Sequence, residues 1–512
     1  IDTNEFDVYI DATSSDKKGK RANEKLREKL DEFSDQKLED GIVCRLIVAI
    51  NLGVLNDFIK NYENEYTFLK EYVDKQGLFD NIPAWKFVQM ENEVEDTKSY
   101  AIGHVDFTSF HRYEIKLQGA DISFFSLLLD KIVSNDTENP IYQAHSIGCA
   151  NCSHRTNCPV YWNYKELAGN GQLRAYVVNV LSKAIIKGNL APSVREINDF
   201  YYEIIIGRTF DENAIMSRSV NRLTHFIKNM TLWLLYESTE GLLQYTAKQD
   251  VLGDVSRKCD RQIISLNLKP DFESWLQESA IEVSPIFGQI FNDILYCKNS
   301  NAKKYKENEQ DIKQAIFKLY IRTINISANQ VDESYQNYLK YLFYYNIGAE
   351  EKCKEMIQLI EECVYLWNGR LGDKSGTNIK NGVIVSRASS KFYLFKKMDI
   401  KFAKNTQIMQ LDANSELPNF SSTMRFGFKL KDGKNIVSLD IDYELYSFLL
   451  EVSAGFIPTN TDKKRNVKYD AFVRNLISES DSDTYVYARG EEGKTYRISK
   501  DDFDNYTFDY EV

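Results

Sequence analysis

The sequence lacks any long hydrophobic run. No stretch of about eighteen or more consecutive apolar residues occurs among its 512 residues, so no transmembrane helix is predicted. The chain also does not open with a basic segment followed by an apolar one, the pattern of a secretory signal peptide. We therefore expect a cytoplasmic protein that makes no contact with a membrane.

Cysteine is scarce and mostly scattered. Of the eight Cys residues only Cys149, Cys152 and Cys158 lie close together in the sequence. A small protein held together by disulfides would show a regular set of paired cysteines, so this distribution argues against a disulfide framework. The three clustered thiols need another explanation.

Basic residues are fewer than acidic ones. The chain has 64 Lys or Arg and 75 Asp or Glu, a net charge of −11, which argues against a protein that coats nucleic acid over its whole surface. Residues 374–434 are an exception, with twelve Lys or Arg and four Asp or Glu. Lys391, Lys396 and Lys397 in this stretch either contact DNA phosphates or keep strand edges soluble.

An α/β unit is predicted at the start of the chain. Residues 6–10 and 42–50 have the composition of β-strands, and residues 22–33 between them carry apolar side chains at helical spacing. The continuous apolar run at 46–50 is typical of a strand in a parallel sheet with helices on both faces. The sequence thus favours an α/β fold with a parallel sheet in this region.

Polar residues follow both predicted strands. Asp11 comes after the first strand and Asn51 after the second. In open α/β sheets ligands bind beyond the carboxyl ends of the strands, where phosphate chemistry needs a metal-ligating carboxylate and a water-orienting amide. The alternative, given even weight, is that both side chains only cap turns.

The rest of the chain suggests three regions. Residues 1–190 form the α/β domain, 191–368 have helical periodicity throughout, and 369–512 begin with a glycine-rich linker and continue as a β-rich α+β domain. Helices are expected at 122–134, 172–187 and 192–206, with Pro192 at a first helical position.

The most specific local motif is a cysteine-rich segment at 145–158. It reads His145-x3-Cys149-x2-Cys152-x5-Cys158 and is followed by a proline. Three thiolates at this spacing suit a tetrahedral structural zinc site with His145 or His154 as the fourth ligand.

Two alternatives to zinc stay open at this point. The same spacing could hold three corners of an iron-sulfur cluster, with a distant Cys44 or Cys259 completing it. The thiols could also be free cytosolic cysteines. In either metal case a role in structure is expected, because four protein ligands leave no position for a substrate.

Arg195 occupies an unusual position for a cation. It falls in the first turn of the helix predicted at 192–206, where a positive charge opposes the helix dipole. Contact with a nucleotide phosphate from a lid helix would explain it, and a salt bridge with Asp199 would do so equally well.

Three segments resemble a known family. Residues 6–15, residues 49–55 and residues 139–143 are similar to the DptF family of DNA phosphorothioation-dependent restriction proteins, with the resemblance firmest over 1–210. It implies a P-loop NTPase-like parallel sheet, and an NTPase subunit of a bacterial anti-phage restriction complex that acts on DNA lacking the host's sulfur modification. It also implies ATP with Mg²⁺ as cofactor, and DptG and DptH as partner subunits.

The phosphate-binding loop that this resemblance implies does not occur in the sequence. No Gly-x4-Gly-Lys-Ser/Thr is present, so the loop is expected upstream of Ile1. Within the implied role, Asp11 would lie near Mg²⁺, Asn51 would orient water and Arg195 would lie near the phosphates. The alternative function is a non-catalytic scaffold or DNA-contacting subunit of the same kind of complex.

Overall fold

The computed structural model divides the chain into two compact units, Ile1–Phe110 (unit 1) and His111–Val512 (unit 2). The two units are described separately below. The described residues are 6–9, 22–39, 44–78, 85–91, 99–105, 111–217, 219–253, 264, 271–326, 332–369, 371, 381–387, 392–405, 420–431, 433–480, 486–489, 494–500 and 505–511.

Unit 1 combines short strands with short helices. Its elements are β1 (Asp7–Tyr9), α1 (Ala22–Leu30), α2 (Asp35–Glu39), β2 (Leu46–Val48), α3 (Leu52–Asn61), α4 (Thr67–Gln76), β3 (Trp85–Glu91) and β4 (Ser99–Val105). The strand pair β1 and β2 is parallel, with Val8 opposite Ile47, and α1 lies in the connection between them. The predicted strand–helix–strand unit is therefore confirmed. The strands β3 and β4 form a separate antiparallel pair.

The predicted burial of β2 on both faces is wrong. Leu46, Ile47 and Val48 are all half-buried, and Val8 on the neighbouring strand is 48% exposed. In the described part of the chain this sheet has two strands, so no further strand flanks the pair. The core of this region lies instead between the helices, around Leu26, Phe58 and Tyr66, and the apolar run only borders it.

The helix expected after Asn51 is split in two. α3 ends at Asn61 and α4 begins at Thr67, with turns between them. The ring of Tyr66 packs against Phe58 with centroids 5.0 Å apart, which holds the two helices together. On α4 the Tyr72 hydroxyl forms a 2.8 Å hydrogen bond with Nδ1 of His104, on strand β4.

Unit 2 begins with the short hairpin β5 (Glu114–Lys116) and β6 (Gly119–Asp121) and continues as a helical body. Its first helices are α5 (Ser123–Val133), α6 (Pro140–Gln143), α7 (Pro159–Gly169), α8 (Gly171–Lys187), α9 (Val194–Ile206), α10 (Glu212–Met216), α11 (Val220–Lys228), α12 (Thr231–Glu237) and α13 (Leu243–Ala247). Those that follow are α14 (Phe272–Trp275), α15 (Ile281–Val283), α16 (Ile286–Ser300), α17 (Ala302–Asn325), α18 (Glu333–Asn346) and α19 (Lys354–Leu366). The helices predicted near 122–134, 172–187 and 192–206 are confirmed within two residues at each end.

The C-terminal part is rich in strands, as predicted. Its elements are β7 (Gly382–Arg387), β8 (Tyr393–Lys397), β9 (Ile400–Asn405), β10 (Met424–Leu430), β11 (Val437–Ile441), α20 (Tyr443–Ser453), α21 (Asn460–Arg465), α22 (Val467–Glu479), β12 (Val486–Arg489), β13 (Thr495–Lys500) and β14 (Tyr506–Glu511). They form a three-stranded sheet in the order β11-β10-β9 and a five-stranded sheet in the order β14-β13-β12-β8-β7. Both sheets are antiparallel.

The compact units do not follow the predicted boundaries after 190 and 368. One hydrophobic core runs from Tyr113 to Leu476 and crosses both positions. Across the first, the Tyr201 hydroxyl donates to the Phe125 carbonyl at 2.9 Å. Across the second, the Trp367 indole donates to Asp470 at 2.9 Å.

We searched the described helices for a membrane span. None of them is both long enough and apolar enough to cross a bilayer.

Candidate functional site

Asn51 lies at the carboxyl end of β2 and begins the next helix. It has the extended backbone conformation of an N-cap, and its Oδ1 accepts a 2.8 Å hydrogen bond from the backbone N–H of Val54. Asn51 therefore caps a helix, and its predicted role beside a phosphate stays a prediction. The residue is exposed, its amide NH₂ has no partner among the described residues, and Oδ1 has a second lone pair.

A polar group in this position is compatible with a ligand beyond the strand end. Asp11, the other residue expected there, lies outside the described residues. The Mg²⁺ ligand of the predicted site therefore stays a prediction.

Arg195 lies in the first turn of α9, as expected, but its surroundings are unfavourable for a phosphate. The helix begins with a capping box, in which the Ser193 side chain accepts from the Glu196 backbone at 3.2 Å and the Glu196 carboxylate accepts from the Ser193 backbone at 2.8 Å. Pro192 therefore precedes the cap and does not occupy a first helical position. Arg195 is exposed, and among the described residues no ion pair joins it to Asp199.

A cavity of about 340 Å³ lies beside the start of α9. Its lining includes the carboxylates of Glu196, Asp199 and Glu203 together with Arg208. Arg208 is already paired with Glu203, to which its Nε donates at 2.8 Å. Three carboxylates around one paired cation would repel a triphosphate, so this cavity does not support a phosphate-binding role for the start of α9.

The cysteine-rich segment is built from a chain of turns between α6 and α7. The α6 helix widens into a π-helical turn at Ala144–Gly148, which ends at Cys149. The backbone N–H of Cys152 then donates to the Cys149 carbonyl at 3.2 Å, closing a turn that brings these two residues together. Cys158 is the residue immediately before Pro159, where α7 begins.

The three thiols influence one another electrostatically. Burial raises the pKa of Cys149, and the neighbouring Cys158 and Cys152 raise it further. Burial also raises the pKa of Cys158, while backbone hydrogen bonds from Tyr161 and Val160 act in the opposite direction. In the part of the chain that the structure describes, no three His, Cys, Asp or Glu side chains form a group that could hold a metal ion as they stand.

His145 occupies an unusual environment. Its ring stacks on Tyr164 at a centroid distance of 4.3 Å and on Tyr161 at 5.4 Å. Burial lowers its pKa, and a backbone hydrogen bond with Tyr161 opposes that shift. Its Nε2 is buried and has no hydrogen-bond partner in the part of the chain that the structure describes. A neutral imidazole with a free nitrogen is the form that binds metals.

The predicted lysine surface is not assembled as expected. Lys396 donates to the Ser480 carbonyl at 3.3 Å and to its hydroxyl at 3.0 Å, and the Lys397 amine lies 4.3 Å from the centre of the Tyr487 ring. These two neighbours on β8 point to opposite faces of the sheet. Lys391 lies outside the described residues. Both described lysines therefore make internal contacts, and DNA contact stays a prediction.

Sequence reasoning missed polar groups inside the helical body, among them the half-buried Glu166 and the fully buried Arg322. Glu166 lines a cavity of about 170 Å³ with Thr323 and Ser284, and burial raises its pKa. Arg322 is fully buried and binds Glu237 at 2.7 Å and Asp250 at 2.5 Å. A helical pattern indicates which side chains share a face, but it does not reveal a carboxylate partner that lies 72 or 85 residues away.

Comparisons with known proteins give no independent guide to these residues. No family model, no curated protein and no solved structure matches the chain.

Proposed function

We propose that the chain is part of the NTPase subunit of a bacterial restriction complex that acts on DNA lacking phosphorothioate modification. The proposal starts from the resemblance to the DptF family. The structural observation that supports it is the parallel β1–β2 pair, with Asn51 three residues after the end of β2. Parallel strands joined by a helix are the unit from which nucleotide-binding sheets are built.

Within this proposal, Asn51 orients the attacking water beside the nucleotide. Its backbone is fixed by the cap of α3, so the amide starts from a defined position at the strand end. With Oδ1 bonded to the Val54 N–H, the NH₂ group and a second lone pair can hold a water molecule in position. ATP with Mg²⁺ would supply the reactive phosphate. The chain's contribution would be to position the attacking water molecule and to exclude other water molecules from the site.

The test is made on the full-length protein, because the implied phosphate-binding loop is expected before Ile1. Asn51→Ala and Asn51→Asp are compared for nucleotide affinity and for hydrolysis. Asp keeps the capping oxygen but loses the NH₂ group, so it separates the cap from the chemistry. We expect both variants to lose turnover by about tenfold or more while affinity changes little, since an amide that orients water acts mainly in the transition state.

Two results would contradict this role. If Asn51→Asp hydrolyses ATP like the unchanged protein, Asn51 is a helix cap only. If the full-length protein does not bind ATP at all, the NTPase proposal fails as a whole.

A non-catalytic subunit that binds partner proteins is the second candidate. The observation in its favour is on β14, an outer strand of the five-stranded sheet. Tyr506, Phe508 and Tyr510 alternate along it, and each is more than half exposed. Alternate residues share one face of a strand, so these rings form an aromatic surface of the kind found at protein interfaces. Under this reading the partners would be the DptG and DptH subunits.

Replacing these three residues with Thr tests the second candidate. Thr keeps the strand propensity while it removes the aromatic surface. If the surface binds partner subunits, the triple variant should no longer co-purify with them, while any ATP hydrolysis is retained. Unchanged co-purification would exclude this surface as the contact.

A further inference from the structure

We infer that Cys149, Cys152, Cys158 and Nε2 of His145 bind one zinc ion, which fastens the segment between α6 and α7. This inference does not rest on the proposed NTPase function. It rests on the backbone of the segment, on the surroundings of His145 and on the chemistry of the four donor groups.

The backbone places two pairs of donors near each other. His145 and Cys149 are four residues apart, and the Cys149 N–H donates to the His145 carbonyl, so both side chains leave the same side of one helical turn. Cys149 and Cys152 are brought together by the 3.2 Å hydrogen bond of the following turn. π-Helical turns are uncommon and frequently occur at functional sites, and this one contains His145.

The His145 ring supplies an unsatisfied donor atom. Stacking on Tyr161 and Tyr164 restricts the ring, while Nε2 is buried and has no hydrogen-bond partner among the described residues. An unpaired buried polar atom is unfavourable, so a metal ion bound at Nε2 would stabilise this arrangement. His154, the other candidate, is half-buried on a turn, and none of its ring atoms is among the buried unpaired ones of the described residues.

Cys158 lies at the start of α7. It is half-buried and immediately precedes Pro159, the first residue of that helix. The same first turn of α7 carries Tyr161, whose ring stacks on His145. One helix end therefore adjoins both the third thiol and the histidine.

The chemistry of the four donor groups indicates which metal is bound. Three thiolates and one imidazole match zinc in a closed tetrahedral site, which stabilises structure and leaves no position for substrate. Among the described residues these side chains do not yet stand in a ligating arrangement, so binding requires the thiols to rotate toward His145. Cys152 is exposed on its turn and has the room to do so.

The first measurement is the metal content of the purified full-length protein, by mass spectrometry of the elements. We expect one zinc per chain and no iron or acid-labile sulfide. Protein without zinc that also fails to bind added zinc would overturn the proposal. An iron-sulfur cluster in its place would overturn the choice of metal and the role of His145.

Variants identify the ligands. Cys152→Ser and His145→Gln should weaken zinc binding at least about tenfold in competition with a chelator. The matched controls are Cys44→Ser, at a half-buried thiol that donates to the Glu32 carbonyl in unit 1, and His154→Gln, at the competing histidine. Both controls should retain zinc. Zinc retained by Cys152→Ser would overturn the site, and zinc lost from His154→Gln but not from His145→Gln would overturn the fourth ligand.

Cobalt substitution tests the same site in the unaltered protein, so its result does not depend on whether the variants fold. Cobalt bound in place of zinc in the unaltered protein should show a thiolate-to-metal charge-transfer band of the strength expected for three thiolates, with tetrahedral visible bands. A spectrum without thiolate bands, or with octahedral geometry, would contradict the assignment.

Discussion

The two compact units differ in how their interiors are built. Among the described residues of unit 1 the buried apolar side chains form two small clusters, one around Phe58 and one around Tyr72. Among those of unit 2 one large cluster runs from Tyr113 to Leu476, beside a small one around Phe395, and the helical body also contains buried ionic groups such as Arg322. Because apolar burial is the main source of stability, we expect unit 1 to open locally more often than unit 2.

This expected difference in stability between the units determines where ligand binding should stabilise the protein most visibly. A ligand that binds only the folded state adds its binding energy to that state, and the effect is most visible where intrinsic stability is low. The candidate nucleotide edge at Asn51 lies in unit 1, whereas the inferred zinc site lies in unit 2.

Replacing Arg322 with Met should produce the largest loss. The guanidinium is fully buried between Glu237 and Asp250 and lies over the Tyr236 ring at 5.1 Å. Removing it leaves Asp250 without its cation, whereas Glu237 keeps its 2.9 Å ion pair with Lys318, so the free energy of unfolding should fall by about 3 kcal/mol. Chemical denaturation followed by a probe in unit 2 measures this effect.

Lys313→Met is the matched control, because it removes a cation from the same helix. Lys313 pairs with Glu309 at 2.9 Å, and both side chains are about one-third exposed. We expect a loss below about 0.5 kcal/mol. Similar losses of unfolding free energy for Arg322→Met and Lys313→Met would contradict this account, because the buried ion pairs would then stabilise unit 2 no more than an exposed one.

Helix caps allow the two units to be compared with one type of substitution. Asn51→Ala removes the cap of α3 in unit 1, and Asp442→Ala removes the cap of α20 in unit 2, where the carboxylate accepts from the Leu445 N–H at 2.8 Å. Each loss should cost about 1 kcal/mol. Measured by hydrogen exchange, Asn51→Ala should speed amide exchange in much of unit 1. Asp442→Ala should speed it only at the N-terminal end of α20.

A small pH effect is expected from the strand pair β10 and β11. The hydrogen bond from Arg425, whose terminal NH₂ lies 2.6 Å from Asp440, holds the pKa of that carboxyl below its usual value. The stability this pair contributes is present above the unfolded-state pKa of about 3.9 and is lost as the pH falls through the lower folded-state pKa.

Arg425→Gln tests this effect. It should lower the free energy of unfolding by less than about 1 kcal/mol near neutral pH, since both side chains are partly exposed. The difference from the unchanged protein should vanish in strong acid. A difference that persists when Asp440 is protonated would show that Arg425 acts by packing.

The local structure could largely be predicted from the sequence. The helices at Ser123–Val133 and Gly171–Lys187 carry regular apolar spacing, and each has a definite end, so their bounds were accurate. The parallel pairing of β1 and β2 was also predicted, because the intervening helix permits it. These features depend on residues that are near each other in the chain.

Features that depend on distant residues could not be predicted. The apolar run of β2 indicated a fully buried strand, yet its burial depends on neighbouring strands that its own sequence does not specify. The domain boundary after 368 was placed at a glycine-rich segment, although Trp367 and Asp470 pack across it. In the candidate site, spacing suggested His145 as a ligand, but only the structure reveals its unpaired nitrogen.

Hydrogen exchange of the full-length protein with and without ATP and Mg²⁺ tests the central claim that unit 1 carries the nucleotide site. At 100 times the dissociation constant ATP should stabilise its unit by about 2.7 kcal/mol, which slows exchange about a hundredfold for amides that exchange by opening that unit. We predict this slowing in α3 and β2, next to Asn51, and little change in unit 2. Unchanged exchange in α3 and β2 under saturating ATP, or protection confined to unit 2, would contradict the account.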